Sequence, residues 1–133
     1  MAFDWREFLT LARSLHTQLT TGSLGSTEAV FRTLVGRAYY AAYGYAHDYA
    51  ESWLAFIPRR KPEERSQDHG RLRAHLHNRR RRAVADRLTR LRDWRNECDY
   101  LSELSGINIS QRTEDAIASA EYVITALPPP KTT

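Results

Sequence analysis

The chain has 133 residues, of which 41% are apolar and 11% aromatic, so it can form one packed core and is too apolar for a disordered protein. No run of residues approaches the roughly 18 consecutive apolar positions of a membrane span, and the single cysteine, Cys98, excludes an internal disulfide. The acidic start MAFDWREF is unlike a secretory signal. We expect one cytoplasmic domain over residues 1–127 and a disordered tail at 128–133.

The net charge of +4 conceals an uneven distribution of charge. Residues 59–95 contain fourteen basic and five acidic side chains, and eighteen of the twenty basic residues of the chain are arginine. Because arginine presents a planar fork of donors that fits phosphate oxygens, this segment favours a polyanionic partner such as RNA. The alternative is a solvated helix face in a protein from an arginine-rich proteome.

The first of the helical patterns begins at Asp4. Asp4 and Glu7 form a pair that resembles a capping box, and apolar residues at helical spacing continue to Leu19. The glycine- and hydroxyl-rich segment 20–26 then predicts a loop.

The second helical pattern begins at Ser26 or Thr27 and is predicted to continue to Pro58. Its length suggests a kink near Gly44 or His47. Small residues alternate with tyrosines along its middle, which predicts a partner helix packed close against its backbone.

The remaining segments differ in the strength of their pattern. Residues 58–78 form a charged loop followed, at best, by a short helix in RLRAHLHN. A strong pattern runs from about Arg79 to Glu103, SGINIS interrupts it, and a last helix is predicted from Gln111 to Leu127. Since no strand pattern competes with these helices, we predict an all-α, up-and-down bundle of four to five helices.

Two of the predicted helices carry an arginine on their apolar face, Arg37 and Arg95. An unpaired buried guanidinium is costly, so each must be paired or must face a cleft. Arg37 could reach Asp99 from the neighbouring helix and form a structural ion pair. Arg95 could reach Asp99 from one turn away on its own helix. The alternative for Arg95 is a cleft in which it binds a phosphate, beside Asn96 and Tyr100 on the same part of the helix.

FRTLVGRAYYAAYGYAHDYAES, followed later by LRDWRNECDY, resembles the HEPN superfamily (higher eukaryotes and prokaryotes nucleotide-binding domain). Bacterial members often carry Arg-Ala-Tyr-Tyr-Ala-Ala in their second helix, and the resemblance covers nearly the whole chain. It implies a helical bundle that forms a homodimer with a polar cleft at the interface. Many members resemble metal-independent endoribonucleases that use an arginine, a following polar residue and a histidine four to six residues after the arginine.

Arg95 and Asn96 match the first two positions of that motif, whereas Tyr100 stands where the histidine is expected. Tyrosine exchanges protons poorly near neutral pH because its usual pKa is about 10. RNECDY is similar to a variant of the superfamily that ends in Ala-Asp-Tyr, with Cys98 in the place of alanine. His69 is the candidate that could replace the missing histidine, against a capping or loop role. The predicted catalytic residues are therefore Arg95, Asn96, Tyr100 and His69.

A run of four arginines, Arg79, Arg80, Arg81 and Arg82, stands at the start of a predicted helix, where the helix dipole disfavours positive charge. A phosphate backbone or an acidic partner protein would explain the run, and we predict nucleic-acid contact. The histidines in this region lack the spacing of a zinc site, so we predict no metal and no cofactor.

Three functions are compatible with these patterns. The first is an RNA-directed HEPN protein, a toxin or phage-defence component with weak or conditional ribonuclease activity. The second is a non-catalytic HEPN module that binds nucleotides or partners a nucleotidyltransferase or antitoxin. The third is a purely structural helical adaptor.

Overall fold

The computed structural model describes residues 3–21 and 27–130. Five α-helices are present in these ranges: α1 (Arg6–Thr21), α2 (Thr27–Trp53), α3 (Asp68–Asn78), α4 (Arg82–Tyr100) and α5 (Ile109–Ala126). A 3-10 helix, Pro62–Gln67, leads into α3. The described part of the chain contains no strand, so the predicted all-α fold is confirmed.

Helix α2 is the centre of the bundle and packs against all four other helices. Thirteen of its 27 residues are buried, which is typical of a helix surrounded by others rather than one with a solvated face. Alanines at positions such as Ala38, Ala42 and Ala46 are fully buried and let neighbouring helices approach closely. Around them pack the largest fully buried side chains of α2, α3 and α4, which include Phe31, Leu34, Tyr39, Leu72, Leu76, Leu88 and Leu91. None of the described helices has the length and apolar character needed to cross a membrane.

Helix α2 ends at Trp53, earlier than the predicted boundary at Pro58. Ala55 adopts a left-handed backbone conformation with φ of 55°, and the N–H of Phe56 then donates to the carbonyl of Ala50 at 3.1 Å. This hydrogen-bonded turn ends α2 before Pro58 is reached.

A glycine in the middle of α2 permits close contact with α1. The indole ring of Trp5 lies where a Cβ atom on Gly44 would be, so a larger residue would overlap the ring. The helix continues through Gly44 and His47 to its end. The glycine therefore permits contact between α2 and Trp5, the residue that precedes α1.

The segment between α2 and α3 is more ordered than its composition suggests. Asp68, only 4% exposed, accepts the backbone N–H of Arg59 at 3.1 Å with each carboxylate oxygen. It also accepts a guanidinium N–H of Arg71 at 2.6 Å. Because one buried carboxylate joins the loop to the helix, α3 begins at Asp68 and is longer than the predicted short helix.

The last two helices begin and end at different residues from those predicted. Arg80 has a positive φ of 64°, which separates α3 from α4, so α4 begins at Arg82 rather than Arg79. The side chain of Asn108 caps α5 by accepting the N–H of Gln111 at 3.0 Å, so α5 begins earlier than predicted. After α5, the carbonyl of Pro129 accepts a hydrogen bond from Trp53 at 3.0 Å, while the predicted disordered tail lies partly outside the described residues.

Candidate functional site

A cleft of about 610 Å³ is bordered by residues of α2, α3, the 3-10 segment and the C-terminal half of α4. All four residues predicted to be catalytic line it: Arg95, Asn96, Tyr100 and His69. Three arginines contribute to its walls, and no acidic side chain of the described residues lines it. The cleft is therefore positively charged.

Helical spacing explains how the local sequence supplies these side chains. On α4, Arg92, Arg95 and Asn96 stand three and four residues apart and share one face of the helix. On α3, His69 and Arg73 are four residues apart and share a face in the same way. Packing of α3 against α4 then brings the two faces together.

Arg95 is held at the cleft by weak contacts. Its side chain is 16% exposed, and one Nη1 group donates to the hydroxyl of Tyr40 at 3.3 Å and to Asp99 at 3.4 Å. The guanidinium also lies over the ring of Tyr39, with 5.2 Å from Cζ to the ring centroid. Its Nε–H is buried and has no hydrogen-bond partner. The interactions of Arg95 within the protein thus leave one strong donor unused.

Arg73 also has a guanidinium donor that no protein group accepts. Its Nη1 group is buried without a partner, although the residue lines the cleft beside Arg95. A buried donor without a partner costs about 1–3 kcal/mol, and native proteins rarely leave one without reason. The oxygens of an anion are acceptors of the kind that two such donors at one cleft require.

His69 lies against two tyrosines at the back of the cleft. Its ring stacks on Tyr43, with 4.1 Å between centroids and 4° between planes, and its Nδ1 is hydrogen-bonded to the hydroxyl of Tyr39. Burial, followed by the positive charges of Arg95 and Arg73, lowers the pKa of His69 from its usual 6.5 to about 4. Burial also raises the pKa of Tyr39 to about 12, so both rings are neutral at pH 7.

The lowered pKa of His69 predicts a loss of stability in mild acid. The folded protein binds the proton less readily than the unfolded chain, so stability is fully present above pH 6.5 and decreases as the pH falls toward 4. Because the ring is partly exposed, we expect the contribution to be about 1–2 kcal/mol rather than the full value of the shift. Urea unfolding from pH 7 to 4 should show a shallower pH dependence for His69→Gln than for wild type. The same slope in His69→Gln as in a control, exposed His77→Gln, would contradict this prediction.

Tyr100 and Asn96 occupy different depths of the cleft. Tyr100 is 75% exposed at the last residue of α4, whereas Asn96 is half-buried one turn earlier. An exposed ring at the rim can stack on a planar ligand, and an amide can donate to or accept from a ligand oxygen.

The prediction of an ion pair between Arg37 and Asp99 is wrong, because the two side chains do not pair in the described part of the chain. The guanidinium of Arg37 lies over the ring of Phe8, 4.7 Å from its centroid, and 5.5 Å from that of Tyr40. Asp99 instead contacts Arg95 on its own helix, which was the other pairing considered. Stacking on aromatic faces therefore accommodates Arg37 on the apolar face of α2 without a carboxylate.

The arginine run Arg79–Arg82 lies away from the cleft. Thirteen residues of α4 separate Arg82 from Arg95, which corresponds to about 20 Å along the helix axis. Within the run, Arg81 is directed inward and donates to the hydroxyl of Tyr49 at 3.1 Å, while its neighbours are exposed. The arginine run and the arginines of the cleft are thus separate basic regions of the described chain.

Two histidines outside the cleft, His47 and His75, have structural contacts. The Nε2 atom of His75 is 2.7 Å from the carbonyl of Leu54, which joins α3 to the end of α2. In the described part of the chain, one group of potential metal ligands is close enough to share an ion, namely His47, Asp48 and Glu51. The Nδ1 atom of His47 is already 2.7 Å from the carboxylate of Glu51, so that group is internally paired.

Six residues that line the cleft were not among those predicted from the sequence, and they include Arg73, Arg92 and Tyr40. Their spacing from predicted residues could have revealed two of them, because Arg92 precedes Arg95 by three residues and Arg73 follows His69 by four. Tyr40 reaches the cleft from another helix, for which the sequence carries no such signal.

Comparisons with known protein families, curated proteins and solved structures return no match to this chain.

Proposed function

We propose that the chain binds RNA through its phosphate backbone in the cleft, as a protein of the HEPN type. The observation that carries this proposal is the pair of buried, unpartnered guanidinium N–H groups of Arg73 and Arg95. The oxygens of a phosphodiester would accept both and would be attracted by the third arginine, Arg92, and no carboxylate among the described residues lines the cleft.

Aromatic and amide groups of the same cleft favour RNA over a simple inorganic anion. The exposed ring of Tyr100 can stack on a base, as aromatic side chains commonly do with single strands. The amide of Asn96 can bond with a ribose 2′-hydroxyl, which distinguishes RNA from DNA. The resemblance of Arg95 and Asn96 to the HEPN motif points to the same substrate class.

The test is the affinity of labelled single-stranded RNA for four proteins: wild type, Arg95→Ala, Arg73→Ala and Arg90→Ala. Arg90 is exposed on α4 and does not line the cleft, so its substitution removes the same charge elsewhere. Loss of a charge-assisted bond to phosphate should raise Kd by about 10-fold to 100-fold for the two cleft variants. It should also reduce the slope of log Kd against log salt by about 0.7. Equal affinities of Arg95→Ala and Arg90→Ala would overturn the proposal.

The cleft also supports weak or conditional RNA cleavage without metal, of the kind used by toxins and phage-defence proteins. Arg95 would stabilise charge developing on the scissile phosphate while Asn96 orients it. The 2′-hydroxyl must lose a proton and the leaving oxygen must gain one, and His69 is the nearby imidazole that could exchange protons. A bound phosphate would offset the arginine charges that lower the pKa of His69, which makes its activity depend on the substrate.

Cleavage is tested with labelled RNA in the presence of a chelator. We expect slow product formation by wild type and a loss of about a hundredfold or more in His69→Gln, because removal of a general acid or base has that effect. Growth after induced expression of wild type and Arg95→Ala tests toxicity in the cell, and unimpaired growth of both would count against a toxin.

A non-catalytic module that partners a nucleotidyltransferase or antitoxin is the second candidate. It is favoured by the position of Tyr100, which stands exposed where the motif has histidine, and by the pKa of about 4 for His69. RNA binding that depends on Arg95, without cleavage above the Arg95→Ala level, would support this candidate. Either function includes the homodimer that the resemblance implies, and a monomer at micromolar concentration in a sizing experiment would contradict that part.

A further inference from the structure

A second cavity, of about 660 Å³, adjoins the arginine cleft at His69. His69 lines both spaces and is the residue that they share. Tyr43, on which that ring stacks, lines only the second cavity. A flexible ligand that occupies the cleft can therefore extend directly into the second cavity.

The walls of the second cavity suit a planar heterocycle. Aromatic rings are provided by Trp5 and Tyr43, and the indole of Trp5 is seated against the backbone of Gly44. Binding sites for small organic groups are typically of this size, with apolar and aromatic walls and a few placed polar groups. Nucleobases are the planar groups attached to the phosphates that the cleft would hold.

Asp48 is the carboxylate of this cavity that can receive a ligand. The other carboxylate, Asp68, already accepts the backbone N–H of Arg59 and a guanidinium N–H of Arg71, and these bonds join the loop to α3. Asp48 is half-buried and contacts Trp5, while its neighbour His47 is paired with Glu51. A carboxylate has about four acceptor sites, so contact with one indole leaves Asp48 able to accept two further N–H groups.

We propose that the second cavity binds a base of the same RNA strand and that Asp48 makes it selective for guanine. This inference rests on the proposed function, because the strand must first be bound in the cleft. Among the four RNA bases, guanine alone presents two adjacent donors, N1–H and the N2 amino group, which match the two oxygens of a carboxylate. Uracil, cytosine and adenine each place an acceptor beside their donor, and the carboxylate of Asp48 would repel that acceptor.

Loop arginines complete the site. Arg59, Arg60 and Arg65 line the same cavity, and all three side chains are exposed. They can contact the phosphate on the far side of the bound nucleotide, so that the strand passes from the cleft, over His69, to the loop. A strand bound in this way would contact the arginines of the cleft and those of the loop with successive phosphates.

The test compares three RNA pentanucleotides: all uridine, uridine with one central guanosine, and uridine with one central inosine. Inosine keeps N1–H and lacks the N2 amino group. We expect wild type to bind the guanosine RNA about tenfold more tightly than the uridine RNA, with the inosine RNA between them. In Asp48→Asn the three affinities should converge on that of the uridine RNA, whereas Asp86→Asn, an exposed control on α4, should behave as wild type.

The outcomes separate the two proposals. Equal binding of all three RNAs by wild type, lost in Arg95→Ala, would overturn the guanine site and leave the phosphate cleft standing. A guanosine preference that persists in Asp48→Asn would overturn the role of Asp48. No binding of any RNA would overturn both proposals. Because the inosine comparison uses wild type, it decides the matter even where a variant folds poorly.

Discussion

Replacement of Asp68 by alanine should lower the free energy of unfolding by about 2–4 kcal/mol. The side chain is buried and joins two elements, since it accepts the N–H of Arg59 and the guanidinium of Arg71. Alanine would leave both donors without their acceptor, and the cost of an unpaired buried donor exceeds the value of the hydrogen bond itself. The residues from Arg59 to the start of α3 should then lose their fixed position.

Urea unfolding of Asp68→Ala and Asp93→Ala provides the measurement. Asp93 is the matched control because its ion pair with Arg92 is exposed, and exposed pairs contribute about 0–1 kcal/mol. Since Asp68 precedes His69 directly and its loop lines both cavities, the same variant should also bind RNA more weakly. A midpoint for Asp68→Ala as close to wild type as that of Asp93→Ala would show that this carboxylate does not hold the loop.

The second prediction concerns two glycines of α2 whose substitution by alanine should have opposite effects. At Gly44 a Cβ would overlap the indole of Trp5, which is itself packed between Phe3 and Phe8. We expect Gly44→Ala to destabilise the protein by about 1–2 kcal/mol, because overpacking outweighs the gain in helix propensity. At Gly36, apart from its chain neighbours and the backbone of its own helix, no described atom lies within 4 Å of the added methyl group, so Gly36→Ala should stabilise the protein by up to about 1 kcal/mol.

Thermal unfolding of the two variants tests this difference directly. Both substitutions add the same methyl group to the same helix, so the difference between them reports the contact with Trp5 alone. A rise in Tm for both would mean that Trp5 moves aside without cost. A Gly44→Ala, Trp5→Ala double variant should recover the helix-propensity gain relative to Trp5→Ala, which separates overlap with the ring from a general effect on α2.

Much of the helical fold could be predicted from periodicity. The four strong patterns correspond to α1, α2, α4 and α5, because each buries a face against the bundle and repeats apolar residues every three or four positions. Helix α3 was predicted only as a short element, since its start depends on contacts of Asp68 with residues on the far side of a loop. The end of α2 was misplaced for a similar reason, because Ala55 adopts a left-handed conformation that alanine rarely favours.

The candidate site was predictable in part. Arg95 was found because it interrupts an apolar stripe, and Asn96 because it follows Arg95 in a stretch that resembles the motif of HEPN proteins. Arg73 was missed because it belongs to the weakest helical pattern, and Tyr40 because the sequence does not reveal which α2 face meets α4. The predicted pairing of Arg37 with Asp99 was wrong because it required a particular rotation of α2 relative to α4, which the sequence does not specify.

The sequence by itself determined that the chain folds as helices and that an arginine stands on an apolar face, because helix periodicity is a property of residues three and four apart. Only the tertiary structure decided what surrounds that arginine. It placed His69 and Arg73 beside Arg95, left two guanidinium donors without partners and stacked Arg37 on Phe8. These arrangements depend on the packing angles and rotations of helices distant in the chain, and such quantities are set by the whole core rather than by any local pattern.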